Sequence, residues 1–262
     1  MFVDLNEIAV LSPLRHKNTT LKVFLVLFGI FAGLLSDTPV LPFFMGSCIV
    51  FATLFFGKIP FSFYSKIFAL TLAFASISCL MLLITFSNNE SLVLFSYPVF
   101  GRAVYVTAQS LNFSILVFSR AFNGIAFIFF LSLTTPMIEL FSYFKKIKFL
   151  DVLMELTMLI YRYIFVFISL LFSIQFAQKM RFGYRNFKSG VYSAGLLVGS
   201  LFVQTIEQGD RLLLSMNSRC YDGKLPYYEA SYKIKAPDIL LSAAFVILTA
   251  AVYVYTQGYQ FF

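Results

Sequence analysis

Two arginines, Arg181 and Arg219, have the residue type and position best suited to a chemical role in this chain. Each comes at the end of a long, largely apolar segment, and a glycine follows closely at Gly183 and at Gly223. A cation is favoured at a helix C-terminus, and a planar guanidinium can bind a carboxylate through two parallel hydrogen bonds. The chemistry indicated is recognition of an acidic or carbonyl-lined partner surface; the alternative is a cationic cap on a surface helix.

Residues suited to metal binding or catalysis are few. His16 is the only histidine, and Cys48, Cys79 and Cys220 lack the spacing of metal ligands. No glycine-rich phosphate loop of the Gly-x-x-x-x-Gly-Lys-Ser/Thr type occurs. The sequence therefore predicts no metal site, no cofactor held by this chain and no ATP hydrolysis by this chain.

The composition indicates an integral membrane protein. The chain of 262 residues is 60% hydrophobic, 19% aromatic and 12% charged, whereas a soluble domain has about 25% charged residues. Its net charge of +8 fits a basic cytoplasmic side. The basic residues do not alternate with aromatic ones in a groove-like patch, so no nucleic-acid partner is expected.

Five stretches are candidate membrane spans, since a span needs about 20 apolar residues. They are residues 21–35, 40–56, 67–86, about 111–134, and 239–255. We therefore predict an all-α integral membrane protein with about five transmembrane helices and a cytoplasmic coupling domain of long amphipathic helices. The predicted domains are an N-terminal membrane domain (1–135), the coupling domain (136–237) and a C-terminal transmembrane helix (238–262).

Loop charges predict the orientation, because cytoplasmic loops carry an excess of lysine and arginine. The N-terminal segment, the linker after the second stretch and the segment after the fourth stretch are basic; their residues are Arg15, Lys17, Lys22, Lys58, Lys66, Lys145, Lys146 and Lys148. The other two loops hold little basic charge. The chain is thus predicted to be a multi-pass protein of the plasma membrane with a cytoplasmic N-terminus.

The region 136–237 allows two interpretations. Two more spans, at residues 163–178 and 191–206, would give seven in all. Alternatively, two long amphipathic helices lie at the cytoplasmic face, one ending at residues 178–181 and one running from about 193 to 219. The first of these has a polar stripe of Asp151, Glu155, Arg162, Ser169 and Ser173. We favour the second interpretation, because spans would place the basic cluster 181–188 outside.

The chain resembles the transmembrane (T) component of energy-coupling-factor transporters, in the cobalt and nickel branch usually called CbiQ. The resemblance covers nearly the whole chain and rests on ordered short motifs. They are Leu-Ser-Pro-Leu-Arg-His-Lys at 11–17, Leu-Thr-Thr-Pro-Met at 133–137, Tyr-Arg-Tyr-Ile-Phe at 161–165, Met180-Arg181-Phe182, and Ser218-Arg219-Cys220 followed by Tyr-Asp-Gly. The family's two Ala-Arg-Gly-like motifs keep their arginines here, but the flanking small residues differ. Asn-Thr-Thr at 18–20 replaces the family's usual Asp-Pro-Arg.

The resemblance implies a scaffold and not an enzyme. In the family, this subunit connects two cytoplasmic ABC ATPase subunits, which bind ATP and Mg²⁺, to a substrate-binding membrane subunit of the S type, here CbiM-like. Each motif arginine docks into a groove on one ATPase. The implied coupling residues are therefore Arg181 and Arg219 with Met180, Phe182, Ser218 and Cys220, and the implied substrate is cobalt or nickel ion.

Two alternatives are an ordinary ABC permease and an intramembrane enzyme acting on lipid-like substrates. An enzyme would need clustered ionisable residues within the spans, and the clear candidate is Arg120 in the fourth. A lone arginine makes poor acid–base machinery; a structural role, bonding backbone carbonyls or snorkelling, explains it better. A permease would need a polar pathway, and the spans hold mostly phenylalanine and leucine.

The predicted orientation can be tested with single cysteines in a cysteine-free background. A membrane-impermeant thiol reagent should label cysteines placed at Asn88 and Gln260 and should miss one at Gly190, because only the first two are predicted to lie outside. Labelling at Gly190 in intact cells would support the seven-span interpretation.

Overall fold

The computed structural model describes residues 8–83, 93–99, 102–145, 151–222 and 236–256. In these segments, a helical turn at residues 8–11 and a 3-10 turn at Pro13–His16 precede the longer helices. The helices are α1 (Thr19–Leu35), α2 (Val40–Gly57), α3 (Phe61–Leu83), α4 (Ala108–Thr134), α5 (Met137–Lys145), α6 (Asp151–Met180), α7 (Phe187–Asn217) and α8 (Ala236–Thr256). Strands β1 (Val93–Val99) and β2 (Arg102–Thr107) form one antiparallel hairpin before α4.

The predicted helical membrane protein is confirmed. Six helices of the described segments (α2, α3, α4, α6, α7 and α8) are long and apolar enough to cross a membrane, and α1 is a shorter apolar helix of 17 residues. The short hairpin does not follow from the sequence pattern. Length and composition do not decide whether α6 and α7 cross the membrane, so their cytoplasmic placement stays a prediction.

Two helices begin earlier than the sequence predicts. α3 begins at Phe61 and not at residue 67, because the Pro60 carbonyl accepts the first-turn amides of Phe63 (3.0 Å) and Tyr64 (3.1 Å). Lys66, expected in a linker, therefore lies within α3. α7 begins six residues before its predicted start at about 193, directly after the extended residue Asn186. From the sequence, 181–188 is interpreted as a basic cluster before the helix, whereas Phe187 and Lys188 belong to the first turn of α7.

The chain divides into two compact units. The first unit comprises Met1–Leu140 and Ala230–Phe262, and the second comprises Phe141–Glu229. The first holds α1 to α4 and α8, and the second holds α6 and α7. The predicted cytoplasmic location of the middle region is not decided by this division and stays a prediction.

α4 is the central helix of the first unit and packs against α1, α2 and α3. Its Phe127 side chain is fully buried with Met45 of α2 and Val26 of α1. A second buried cluster joins Leu133 of α4 to Tyr64 of α3. The helices surrounding α4 turn many apolar side chains outward, as expected for a protein surrounded by lipid.

Glycines of α1 let it approach α4 closely. A Cβ atom at Gly29 would collide with the ring of Phe127, and one at Gly33 would collide with the Asn123 amide. Small residues at helix interfaces permit such approach in membranes, where packing and interhelical hydrogen bonds drive association. The absence of a Cβ at Gly29 and Gly33 therefore fixes the distance between α1 and α4.

Gly29→Ala should lower stability by about 1–3 kcal/mol, because the added methyl group overpacks a fully buried ring. The measurement is the melting temperature of the purified protein in a mild detergent. Gly124→Ala on α4 is the matched control, since no atom lies within 4 Å of the position that its methyl group would take. It should leave the melting temperature unchanged or raise it slightly, because alanine favours a helix by about 0.5–1 kcal/mol over glycine. Equal melting temperatures for wild type and Gly29→Ala would contradict the close packing of α1 on α4.

Candidate functional site

α6 ends in a Schellman motif, the helix end in which two amide groups fold back onto carbonyls of the last turn. The Phe182 amide donates to the Lys179 carbonyl (3.0 Å), and the Gly183 amide donates to the Gln178 carbonyl (2.9 Å). Phe182 adopts the left-handed conformation, with φ of 57°. These are the two hydrogen bonds and the backbone reversal that define the motif.

α7 ends in the same way. The Cys220 amide donates to the Asn217 carbonyl (3.1 Å), and the Tyr221 amide donates to the Met216 carbonyl (3.1 Å). Cys220 is left-handed, with φ of 56°. The two helix ends therefore share one backbone geometry although their side chains differ.

Arg181 and Arg219 occupy the equivalent position of the two motifs, directly before the left-handed residue. Both side chains are exposed, and neither has an ion-pair or hydrogen-bond partner among the side chains that the structure describes. The unpaired carbonyls of a helix C-terminus attract a cation. The sequence alone shows two different tripeptides, Met180-Arg181-Phe182 and Ser218-Arg219-Cys220; the structure gives them the same backbone.

A set of polar contacts fixes the turn that follows α6. The Gly183 carbonyl accepts hydrogen bonds from the Ser189 and Ser193 hydroxyls, each at 2.8 Å. The Gln178 amide nitrogen donates to the Ser193 carbonyl (3.0 Å), and the Tyr184 hydroxyl donates to the Gln178 side-chain oxygen (2.7 Å). A side chain at Gly183 would lie 2.7 Å from the Ser193 hydroxyl oxygen. The position of the first arginine is therefore set by contacts between α6 and α7.

From the sequence, Gln178, Gly183 and Ser193 serve only as helix boundaries, and none of these hydrogen bonds is predicted. The available signal was the pair of serines four residues apart at the start of α7, combined with a glycine and a glutamine just before. Serine hydroxyls in such places commonly bond nearby backbone groups instead of water. Because α7 is predicted to start at about residue 193, Ser189 falls outside the predicted helix.

The surroundings of the two helix ends differ in charge and in apolar content. Met180 is 68% exposed and Phe182 is 78% exposed beside the first arginine. Other exposed side chains near it are Lys179, Arg185, Phe187 and Lys188. The second arginine has exposed Ser218, Cys220 and Tyr221 as neighbours. The first end thus offers a basic surface with large apolar groups, and the second offers a hydroxyl, a thiol and a phenol group.

Arg120 has a structural contact of the expected kind. Its Nη2 donates to the Ser36 carbonyl at 2.7 Å, just past the end of α1, while its Nε is buried without a partner among the described residues. One turn further along α4, the Asn123 amide donates to the Gly29 carbonyl at 2.9 Å. These two side chains join α4 to backbone carbonyls of α1 where the glycines allow close approach.

Two basic residues of the N-terminal part have partners in the first unit. Arg15 Nε donates to Glu139 Oε1 at 2.9 Å, and the Glu139 side chain is only 7% exposed. Lys22, also buried, donates from Nζ to the Thr134 carbonyl at 3.0 Å. From the sequence, Arg15 and Lys22 predict only the orientation of the chain in the membrane. The structure shows that their side chains bond Glu139 of α5 and the Thr134 carbonyl at the end of α4.

Two further contacts hold the N-terminal segment. Lys17 Nζ forms an ion pair with Asp238 at the start of α8, and the Ser12 hydroxyl lies 3.4 Å from the Gly57 carbonyl at the end of α2. The segment therefore connects helices that are far apart in the sequence.

A metal-binding cluster is not found in the part of the chain that the structure describes, where no three His, Cys, Asp or Glu residues are grouped suitably. Cys48 is half-buried, Cys79 is buried and Cys220 is exposed, and all three are free thiols. The prediction that this chain holds no cofactor stays a prediction.

A family model described as CbiQ, cobalt transport protein, matches residues 11–228. A putative fused cobalt transport protein CbiMQ of Methanocorpusculum labreanum is 37% identical over 84% of this chain. That alignment covers 36% of the relative, so this chain spans about a third of the fused protein's length.

Two other relatives match over most of their own length. An uncharacterised protein of Methanocaldococcus jannaschii is 34% identical over 92% of this chain and 89% of its own. The cobalt transport protein CbiQ of Salmonella typhimurium is 21% identical over 59% of this chain and 69% of its own.

Phe182→Gly and Cys220→Gly should each stabilise the protein by about 1 kcal/mol, because glycine adopts left-handed φ without the Cβ clash. Phe182 loses little buried surface on substitution, since it is largely exposed. The measurement is the melting temperature in detergent. Met180→Gly is the control and should lower the melting temperature, because Met180 is the last residue of α6, where glycine weakens the helix. A drop with all three variants would show that the left-handed positions carry no strain.

Proposed function

Because the chain belongs to the CbiQ family of cobalt transport proteins, we propose that it is the coupling subunit of an ATP-driven uptake transporter of the energy-coupling-factor type. In this proposal it connects two cytoplasmic ABC ATPase subunits to a separate substrate-binding membrane subunit, and the transported substrate is cobalt or nickel ion. The observation that carries the proposal is the pair of helix ends with the same backbone geometry. Each presents an exposed arginine whose side chain has no hydrogen-bond or ion-pair partner in the described part of the chain.

The helix ends suit docking into a protein groove. Arg181 and Arg219 project from fixed backbone positions, so the backbone loses little conformational freedom when a guanidinium binds. A guanidinium can form two parallel hydrogen bonds with a carboxylate, which specifies geometry as well as energy. We therefore assign one ATPase contact to each arginine, with Met180 and Phe182 flanking the first and Ser218 and Cys220 flanking the second.

ATP and Mg²⁺ are assigned to the ATPase subunits. This chain has no phosphate-binding loop of the P-loop type in its sequence. Its task would be mechanical. Closure of the ATPases would move the two helix ends, and α6 and α7, with 30 and 31 residues, are each about 45 Å long at the rise of an α-helix. Such rods can carry a displacement across most of a domain.

The substrate-binding partner is proposed to be CbiM-like. The name of the fused relative joins CbiM to CbiQ in one polypeptide, which supports an association between the two kinds of chain. We place the metal ion on that partner and not on this chain. The N-terminus is proposed to lie in the cytoplasm, as the loop charges predict.

The decisive experiment is co-purification of the two ATPases with variants of this chain from a mild detergent. Arg181→Glu and Arg219→Glu should each weaken ATPase binding by more than about tenfold, because breaking a partly desolvated charge contact costs roughly 2–5 kcal/mol. The double variant should retain less ATPase than either single variant and should abolish ATP-dependent cobalt uptake.

Arg211→Glu is the matched control. Arg211 lies on α7 two turns before the second helix end, is 69% exposed and pairs with Glu207 at 3.4 Å. The substitution alters charge by the same amount, and an exposed pair of this kind contributes only about 0.3–0.5 kcal/mol. Its ATPase binding should match wild type. Wild-type retention of the ATPases by the double variant, with uptake intact, would show that the two arginines are ordinary helix caps.

A further inference from the structure

The first unit contains a cavity of about 250 Å³ between α1, α2, α4 and α8. Most of its wall is apolar, and the lining includes Leu25, Ile49, Ala52, Phe130 and Phe245. None of the side chains of the proposed coupling site lines this cavity. The cavity is therefore a feature that the proposed function does not use.

The polar groups of the cavity are collected at one end. Lys17 and Asn18 directly precede α1, Lys22 lies in its first turn, and Asp238 lies in the first turn of α8. Of the apolar wall residues, Leu25 and Phe245 lie further along the same two helices. We call this polar end the rim of the cavity. A polar rim next to an apolar interior suits a molecule with a polar head and an apolar tail.

The depth of the cavity follows from helix geometry. Leu25 is seven residues beyond Asn18, and Phe245 is seven residues beyond Asp238, which corresponds to about 10 Å along each helix. The rim lies at the start of two apolar helices, where a membrane interface is expected. The interior therefore reaches from the headgroup level into the acyl-chain region of one leaflet.

The charge of the rim favours an anionic head. Lys17 is paired with Asp238, but its side chain is still 48% exposed. Lys22 Nζ donates one hydrogen bond to the Thr134 carbonyl. An ammonium group has three donors, so the half-exposed Lys17 keeps N–H groups able to bind a phosphate, whereas the buried Lys22 contributes its charge from beneath the rim. Lys17, Lys22 and Asp238 together leave one net positive charge at the rim.

From these observations we infer that the cavity is a binding site for one membrane phospholipid. An acyl chain lies along the apolar wall between α2 and α8, and the phosphate contacts the amine of Lys17. An anionic phospholipid binds better than a zwitterionic one, because the rim carries net positive charge. The bound lipid fills the space between α8 and the helices that pack on α4.

The test is native mass spectrometry of the full chain, purified in detergent and incubated with an equimolar mixture of phosphatidylglycerol and phosphatidylcholine. The wild type should retain one phospholipid, enriched in phosphatidylglycerol. Ser242→Phe places a ring in the cavity, and retention should fall by at least about fivefold because the acyl chain loses its apolar contacts. Ala244→Phe is the matched control on the exposed face of α8 and should retain the lipid as the wild type does.

Headgroup recognition is tested separately with Lys17→Gln. This change leaves Asp238 without its cationic partner, so the enrichment in phosphatidylglycerol should disappear while phosphatidylcholine is still retained. Equal enrichment in wild type and Lys17→Gln would overturn the assigned phosphate contact. Equal lipid retention in wild type, Ser242→Phe and Ala244→Phe would overturn the site.

A second measurement uses the wild-type chain and so does not depend on how a variant folds. Cys48 lines the cavity and is half-buried, whereas Cys220 is exposed and lies at the second helix end. Phosphatidylglycerol added to the detergent solution should slow alkylation of Cys48 by N-ethylmaleimide and leave alkylation of Cys220 unchanged. An unchanged Cys48 rate would overturn the proposal.

Discussion

The close approach of α1 and α4 is the constraint on which the first unit depends. A Cβ atom at Gly29 or Gly33 would have no room, because the side chains of Phe127 and Asn123 of α4 occupy that space. The Asn123 amide can reach the Gly29 carbonyl only because the backbones are this near. In lipid, where apolar burial between helices is worth little, such packing and hydrogen bonds supply the association energy. The helices α2 and α3 also pack against this same central helix.

The N-terminal segment closes the opposite end of the same unit. Arg15 and Lys22 bond the α4–α5 junction through Glu139 and the Thr134 carbonyl, while Lys17 pairs with α8. These three basic residues, whose charges predict the orientation of the chain in the membrane, thus have partners within the folded protein. Because a carboxylate as buried as Glu139 is costly without a cation, the segment and the helix ends that it contacts stabilise one another. The cavity between α1 and α8 lies directly beneath this polar layer.

The two long helices follow a different principle. Their apolar side chains are largely exposed in the described structure, and α6 and α7 are held together mainly through the polar contacts near the turn between them. Each ends in a Schellman motif that places an arginine outward. A non-glycine residue in the left-handed position costs roughly 1 kcal/mol or more. Among the described residues this conformation occurs at Lys58 after α2, and again at Phe182 and Cys220, where α6 and α7 end. The repetition of a strained geometry at both ends supports a shared role for the two arginines.

The sequence by itself determined the helical membrane class, the five apolar stretches and the positions of Arg181 and Arg219, because hydropathy, glycine and local charge are properties of short segments. It placed the starts of α3 and α7 six residues late, since Lys66 and the basic cluster 181–188 suggested connecting segments where capping and packing extend the helix. Only the tertiary structure decided that Arg120 bonds the Ser36 carbonyl, that Arg15 pairs with Glu139, and that Gln178 and Ser193 fix the first arginine's turn. The first two contacts join residues that are about a hundred positions apart, and the third joins two helices across a turn. Contacts of this kind depend on how the helices pack, which local patterns do not specify.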